Sequence, residues 1–530
     1  MADEGLPASS DAASAIVVSV SPPTIDFSLH ARNRAAVVDN LKRFGGATVP
    51  EKAVILVQGG VAETRDDTDH EPLFRQESNF HYLFGVREPD CFGAIDVATG
   101  AATLFIPRLP DVYATWMGDI LPPAHFQAAY GVDTVLFVDE LDAALTAMAP
   151  TVLYTLRGLN SDSGNYAKEA AFDGIEKHRV DNGLLYEAVV EARVIKSADE
   201  LALLRYVNAV TCDAHMAVMA HCRPGLLEYQ LESLFRHWCY YHGGARNMSY
   251  TCICGTGKNG ATLHYGHAGA PNDKRVEDGD MCLFDMGCEY HCYASDVTCS
   301  FPANGVFTKD QRLIYEAVLA AQRAVLDALK PGVKWTDMHA LAYETALTAL
   351  RDGGLLVGDV DEMMRANLGA VLMPHGLGHF MGIDTHDCGG YPRGAARDPR
   401  DGFKSLRTVR EVRAGMVLTV EPGIYFIDHL LKGAMADADK ARFFDAAVLA
   451  RFWVEGGKSF GGVRLEDDVI VTEDGCENMT IAPRTVEEVE AVCAGRVVER
   501  LAIAAYKARA DAPVYGGALE LAAAARKSKK

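Results

Sequence analysis

The spacing of apolar and polar positions changes near residue 197, and the change divides the chain in two. Before it, short apolar runs at 53–58, 92–97, 102–106, 134–137 and 152–155 alternate with helix-like segments, punctuated by Gly59-Gly60 and Thr99-Gly100. Short runs of this kind between turn residues read as strands, so an α/β domain is expected over 26–190. After residue 197 a longer pattern appears twice, at a spacing of about 110 residues. Ser197 with Glu200, and Thr308 with Gln311, have the form of a capping box. Each opens a predicted helix of about 20 residues that stops at a Pro-Gly pair, Pro224-Gly225 or Pro331-Gly332. A second helix follows in each copy, ending at Gly243-Gly244 and Gly353-Gly354, and strand-like runs come next. A duplicated helix–helix–strands unit predicts an α+β domain over 191–495 with pseudo-two-fold character and a cleft shared by its halves. The Ala/Ser/Pro-rich residues 1–25 are expected to be loosely ordered. The Ala/Lys-rich tail 496–530 is expected to be a frayed helix.

Composition narrows the possibilities. A chain of 530 residues is too long for one typical core. The net charge of −21, from 72 acidic and 51 basic residues, argues against a nucleic-acid or anionic-membrane partner. No apolar stretch approaches the ~18 residues of a membrane span. The run at 15–20 is too short, and too poor in preceding basic residues, for a signal peptide, so a cytoplasmic protein is expected. The 13 cysteines include no CxxC and read as buried thiols in a reducing compartment. The alternative, a zinc held by Cys288, His291 and Cys292, has no fourth ligand nearby in the sequence.

Four carboxylates and one histidine stand out against this background. Residues 281–287 (MCLFDMG) and 293–301 (YASDVTCSF) read as two strands joined by a turn. A turn centred on Tyr290 and His291 would set Asp285 directly across from Asp296. Two acids on adjacent apolar strands repel unless a cation lies between them. The glycines of Pro374-His375-Gly376-Leu377-Gly378-His379 argue against a helix and for close backbone approach to a ligand, and His386 follows shortly after. Glu421 ends an apolar strand (MVLTVEPGIY), where a lone carboxylate would be costly. In VRLEDDVIV, alternation puts Arg464, Glu466 and Asp468 on one face, with Arg464 placed to orient a ligating carboxylate. Asp285, Asp296, His379, Glu421 and Glu466 thus form a hard, oxygen-rich set. It suits two Mn(II), Zn(II), Co(II) or Fe(II) ions sharing bridging carboxylates, with positions left for water.

The order of these five residues resembles the metal signature of the creatinase/methionine-aminopeptidase superfamily, the pita-bread fold. The surrounding text is closest to the prolidases (Xaa-Pro dipeptidases), through QESNFHYLFGV (76–86), HYGHAGAPND (264–273), PHGLGHFMGIDTHDCGGYP (374–392) and GGVRLEDDV (461–469), and runs from about 25 to 495. The stretch 426–460 looks like an insertion. The resemblance implies hydrolysis of the bond before a C-terminal proline in a dipeptide, two Mn(II)-like ions lowering the pKa of a shared water, and an N-terminal domain used in homodimerisation. By the same resemblance Glu421 is a metal ligand and the general base, and Asp296 and Glu466 bridge the ions. His375 and His386 steady the oxyanion and bind substrate, and His264 and Arg407 hold the proline carboxylate. Trp116 is expected either in the core or at the dimer interface, reaching the partner's cleft. Aminopeptidase P chemistry on longer peptides, and a metal-free binding protein of the same fold, are the competing readings. Arg407 bears against the first and the intact ligand set against the second.

Overall fold

The computed structural model describes residues 22–495, so nearly all of the expected N-terminal segment and all of the tail 496–530 lie outside the described residues. Strands form where the apolar runs fall: β1 (Ala53–Gln58), β2 (Phe92–Asp96), β3 (Ala102–Ile106), β4 (Thr134–Phe137) and β5 (Val152–Thr155), with a short β6 (Val180–Asp181). They make one mixed sheet in the order β4-β3-β2-β1-β5-β6. Helices Ser28–Gly45 and Leu185–Val194 pack against each other on it. Both sheet faces are covered: Val54, Leu56 and Leu153 point into one apolar cluster, Ile55, Val57 and Tyr154 into the other.

The repeat of the second half is realised in its caps. Ser197 Oγ accepts from the Glu200 amide (3.4 Å) while Glu200 Oε2 accepts from the Ser197 amide (2.8 Å). Thr308 and Gln311 do the same at 3.2 and 2.9 Å. These boxes open helices Ala198–His221 and Lys309–Ala328, and each packs on a partner, Glu228–Gly243 or Trp335–Asp352. The first pair is followed by β7 (Asn247–Met248), β8 (Ile253–Thr256), β9 (Met281–Asp285), β10 (Cys288–Tyr290), β11 (Tyr293–Ala294) and β12 (Thr298–Pro302). The second is followed by β13 (Val417–Val420), β14 (Gly423–Tyr425), β15 (Gly462–Arg464), β16 (Asp467–Val471) and β17 (Cys476–Asn478). Each half carries a three-stranded antiparallel sheet, β12-β9-β8 in one and β13-β16-β17 in the other. The stretch 426–460 folds into helices Asp428–Ala436, Ala438–Ala441 and Ala446–Phe452, anchored by stacking of Phe426 on Phe452 at 5.2 Å.

One expected register is corrected. The β9–β12 hairpin turns at His291-Cys292, both left-handed (φ 48° and 59°), and not at Tyr290-His291. Asp285 therefore pairs with Thr298, not with Asp296. The displacement is two residues, so both acids keep the same face and become diagonal neighbours. Two consecutive left-handed residues are what a two-residue hairpin turn needs, and His-Cys carries none of the Asn-Gly chemistry that would announce it.

Gly287 lies inside this hairpin, where a Cβ would collide with the Ser295 carbonyl. Backbone cannot yield as a side chain tip can, so Gly287→Ala should destabilise by about 2 kcal/mol or more. The check is a drop of several degrees in the thermal midpoint, with metal retention falling alongside because Asp285 and Asp296 ride on the same hairpin.

Candidate metal centre and cleft

The five proposed ligands come from three places. Asp285 and Asp296 lie on the hairpin, Glu421 and Glu466 lie on the loops that follow β13 and β15, and His379 lies in the Gly-rich segment before them. All five line one cleft of about 890 Å³, together with His264, His375, His386, Arg407 and Arg464. The glycines of that segment serve backbone packing. A Cβ on Gly376 would lie 2.9 Å from the Leu406 Cα, and one on Gly378 would strike the Thr419 carbonyl, so the close approach is to protein and not to ligand as expected. Held there, His379 takes its amide hydrogen bond to Thr419 Oγ1 (3.1 Å).

Ligand atoms of Asp296, His379 and Glu466 all lie within 4.8 Å of one another, and all three side chains are buried. His379 Nε2 is 3.3 Å from Asp296 Oδ2 and 3.6 Å from Glu421 Oε1. Its Nδ1 donates to the Phe380 carbonyl at 2.9 Å, which fixes the tautomer and leaves Nε2 bare toward the acids. Burial, then the neighbouring Asp285, raises the Asp296 carboxyl well above its usual range. Burial with Asp296 and Glu421 does the same to Glu466, and burial pushes Glu421 up to about 7. Such a set favours protons or cations over free charge.

Tyr250 makes the shortage explicit. Its hydroxyl lies 2.5 Å from both Asp285 Oδ1 and Asp296 Oδ1. One phenolic hydrogen serves one acceptor, so the second contact requires a proton on a carboxyl or a cation alongside. Carboxylates in this arrangement, with a bare imidazole nitrogen among them, fit hard divalent cations.

The surrounding shell is built to orient these groups. Arg464, buried, pairs with Asp285 Oδ2, donates to Thr298 Oγ1 (3.0 Å) and Tyr425 Oη (2.9 Å), and stands 3.7 Å from Glu466. Thr298 Oγ1 in turn donates to Glu466 Oε2 at 2.6 Å. The continuous strand expected over Arg464, Glu466 and Asp468 is broken after Arg464, and Asp468, on β16, lies beneath the cleft, accepting from the Asp296 amide at 3.0 Å and from Asn208 at 2.5 Å. His375 contacts Tyr425 Oη at 2.9 Å, and burial lowers its pKa to about 3. His386 stands edge-on to His379 at 4.5 Å and is lowered to about 2, again by burial. Both rings are therefore neutral near pH 7, and any polarising role falls to an N–H donor and not to an imidazolium.

Sequence reading missed three participants. Tyr250 sits in SYTCI, a string without a pattern of its own. Thr298 was absorbed into a strand. Asp162 belongs to the N-terminal half, which showed no chemistry, yet with Ser161 it lines the cleft. Its carboxylate pairs with Arg397 Nη2 at 2.6 Å and with Arg407 Nη1 at 3.5 Å. The alternative zinc site is not formed: Cys288 turns inward to Thr211 Oγ1 (3.2 Å), away from His291. Trp116 is not a core residue; it is 81% exposed, on the short helix Tyr113–Met117.

Comparison with known proteins matches the geometry. Residues 202–473 match the model of metallopeptidase family M24, and residues 30–154 match the aminopeptidase P N-terminal domain. The Xaa-Pro dipeptidase of Homo sapiens is 55% identical over 471 residues, covering 89% of this chain and 94% of that one. The solved structure of Pseudomonas aeruginosa aminopeptidase PepP superposes with a TM-score of 0.71 at 30% identity, covering 92% and 99% of the two chains. The Asp260Ala form of Escherichia coli aminopeptidase P gives 0.71 at 29% identity, over 90% and 100%.

If the acids are held together by cations, Asp296→Asn should remove one or both. Elemental analysis of the purified variant should show a clear fall in metal per chain relative to the parent, with hydrolysis lost in step. A variant that keeps both its metal and its activity would show that Asp296 is not a ligand.

Proposed function

The chain belongs to metallopeptidase family M24, and from that premise we propose that it is an Xaa-Pro dipeptidase working with two divalent ions, Mn(II) foremost, held by Asp285, Asp296, His379, Glu421 and Glu466. The observation that carries the reading is Arg407. It faces the cleft that holds the acids, opposite a wall formed by residues of the N-terminal half. When bound, the two ions supply an activated water and polarise the scissile carbonyl.

The protein's own groups do the rest. Glu421, in the cleft and 3.6 Å from His379 Nε2, would take a proton from water and return it to the proline nitrogen. His375 and His386 both line the space where the tetrahedral oxyanion would develop; the one hydrogen of neutral His375 is held by the Gly376 carbonyl (Nδ1, 2.7 Å), so it acts through Tyr425, and donation to the oxyanion falls to His386. His264, kept below its usual pKa by burial and by Arg407, and Arg407 itself bind the substrate's free carboxylate. Arg464 holds Asp285 and Glu466 in place. A tertiary amide has no N–H to grip, so recognition rests on the ends of the substrate, and a clamp on the C-terminal carboxylate confines the enzyme to dipeptides. The resemblance in fold to aminopeptidase P leaves longer peptides as the competing substrate class, and the clamp weighs against it.

Two finer features belong to the same proposal. The chain works as a homodimer through its N-terminal domain: Trp116, Met117, Val112 and Leu121 are exposed together beside a groove of about 870 Å³, an apolar surface of the kind that partners cover. It resides in the cytoplasm, supported by 13 cysteines that are all free thiols.

Arg407→Ala should lower kcat/KM on Gly-Pro by on the order of 10²-fold or more, since each of two charged hydrogen bonds is worth ~1.5–3 kcal/mol. Metal content should be unchanged, and the preference for Gly-Pro over its C-terminal amide should narrow. An unchanged preference would mean that the carboxylate is held elsewhere.

Sedimentation at micromolar concentration tests the assembly. A dimer that Trp116→Ala weakens is expected; a monomeric parent with full turnover would refute it.

A further inference from the structure

Three histidines outside the cleft converge where the two halves of the molecule meet. His30 comes from helix Ser28–Gly45, His81 from helix Ser78–Phe84, and His291 from the tip of the β9–β12 hairpin. One ring nitrogen of each lies within 4.8 Å of the other two. We propose that His30, His81 and His291 form a separate structural site for a borderline transition-metal ion, Zn(II) being the best match, which pins the hairpin to the N-terminal domain.

The orientation of the rings is the first argument. His30 Nδ1 donates to the Tyr82 carbonyl at 3.1 Å, which places the proton on that nitrogen and leaves Nε2 bare. Fixing an imidazole through a backbone carbonyl in this way is the usual support of a metal-ligating histidine. The bare nitrogen faces His291 Nε2 at 3.2 Å. Two imidazole nitrogens bound at ~2.0–2.1 Å to a tetrahedral ion stand about 3.3 Å apart, so the pair already has the edge length of a ligand tetrahedron.

His81 supplies the second argument. It is 1% exposed, and neither ring nitrogen has a partner in good hydrogen-bond geometry, the His291 backbone being only a loose approach. An imidazole–imidazole hydrogen bond between His291 and His30 would account for those two rings but would leave His81 only the loose approach to the His291 backbone. Buried polar groups without partners are rare and call for an explanation. The rings meet edge to face or tilted, with centroids 4.6–5.5 Å apart, so stacking does not provide one.

The charge environment selects the class of ion. Burial holds His30 at about 4 and His291 at about 3, so both offer lone pairs at neutral pH. Among the described residues, no carboxylate is among the leading influences on any of the three. The cations that do are Arg34, Arg75 and Arg87, of which Arg34 donates to the Leu83 carbonyl (2.9 Å) and Arg75 to Glu289 (3.0 Å). An all-nitrogen neutral set suits Zn(II), Co(II), Ni(II) or Cu(II) and not the hard ions of the acidic centre. Phe27 packs against both His30 and His291, giving the site an apolar wall.

The test uses the full chain, stripped and reloaded with Mn(II), to which Zn(II) is then added. The parent should take up one further Zn(II) per chain, and its thermal midpoint should rise by several degrees. His30→Gln and His291→Asn should lose both effects while keeping Mn(II) content and Gly-Pro turnover. Asn is chosen because it tolerates the left-handed backbone at 291. Co(II) added to the Asp296→Asn variant should give the visible absorption of a tetrahedral nitrogen-ligated ion, and His291→Asn in that background should abolish it. This arm does not depend on the peptidase reading or on His30→Gln folding. Absence of the absorption in Asp296→Asn, absence of the extra zinc in the parent, or equal uptake by the folded His291→Asn protein would each overturn the proposal.

Discussion

The catalytic half is organised around an electrostatic conflict. Asp285, Asp296, Glu421 and Glu466 are brought together in a cleft where burial makes each free charge expensive. Protein alone only partly relieves it. Arg464 inserts its guanidinium among the acids, and Tyr250 is shared between two of them. Much of the surrounding structure serves to keep the conflict in place. Thr298 and Asp468 hold oxygens and amides at fixed positions, and Gly287 and Gly378 let backbone approach where a methyl group would not fit. A site assembled against its own repulsion is preorganised for cations, because the cost of bringing the acids together is met during folding and not during binding.

Much of this was legible in the sequence, and the reasons are local. The strands of the N-terminal sheet were marked by apolar runs ended by turn residues. The two long helices were marked by capping boxes whose reciprocal hydrogen bonds are present. The candidate ligands were marked by acids at the ends of apolar strands, where a carboxylate has no ordinary reason to be. What stayed hidden depended on distance or on unadvertised backbone geometry. His291 and Cys292 turn left-handed without glycine or asparagine, and so shifted the Asp285 register by two residues. Tyr250 reaches its acids from a segment with no periodic signal. Asp162 approaches Arg407 across 245 residues of sequence, and no pattern confined to one stretch of chain could join them.

The hairpin of β9 and β12 connects two regions with different chemistry. Its middle carries Asp285 and Asp296 into the cleft, while its tip delivers His291 to the N-terminal helices. Both ends are therefore referred to fixed points, one acidic and one made of imidazoles. A two-stranded ribbon is a weak structure alone. Tethered at both ends, it gains from its neighbours a stability that two strands alone would not supply.

Asp162 gives the cleft a property of its own. Its carboxylate already lies against Arg407 and Arg397, the same kind of partner that a peptide's C-terminus would offer. If Arg407 holds the substrate carboxylate as proposed, the substrate would have to exchange with a resident anion. Affinity is then the difference between two carboxylate–guanidinium contacts and not the full worth of one. Such an internal surrogate penalises weak mimics most, since inorganic anions and poorly placed acids cannot outcompete a tethered carboxylate at high local concentration. It would also speed departure of a product carboxylate, because the displacing group never leaves the protein.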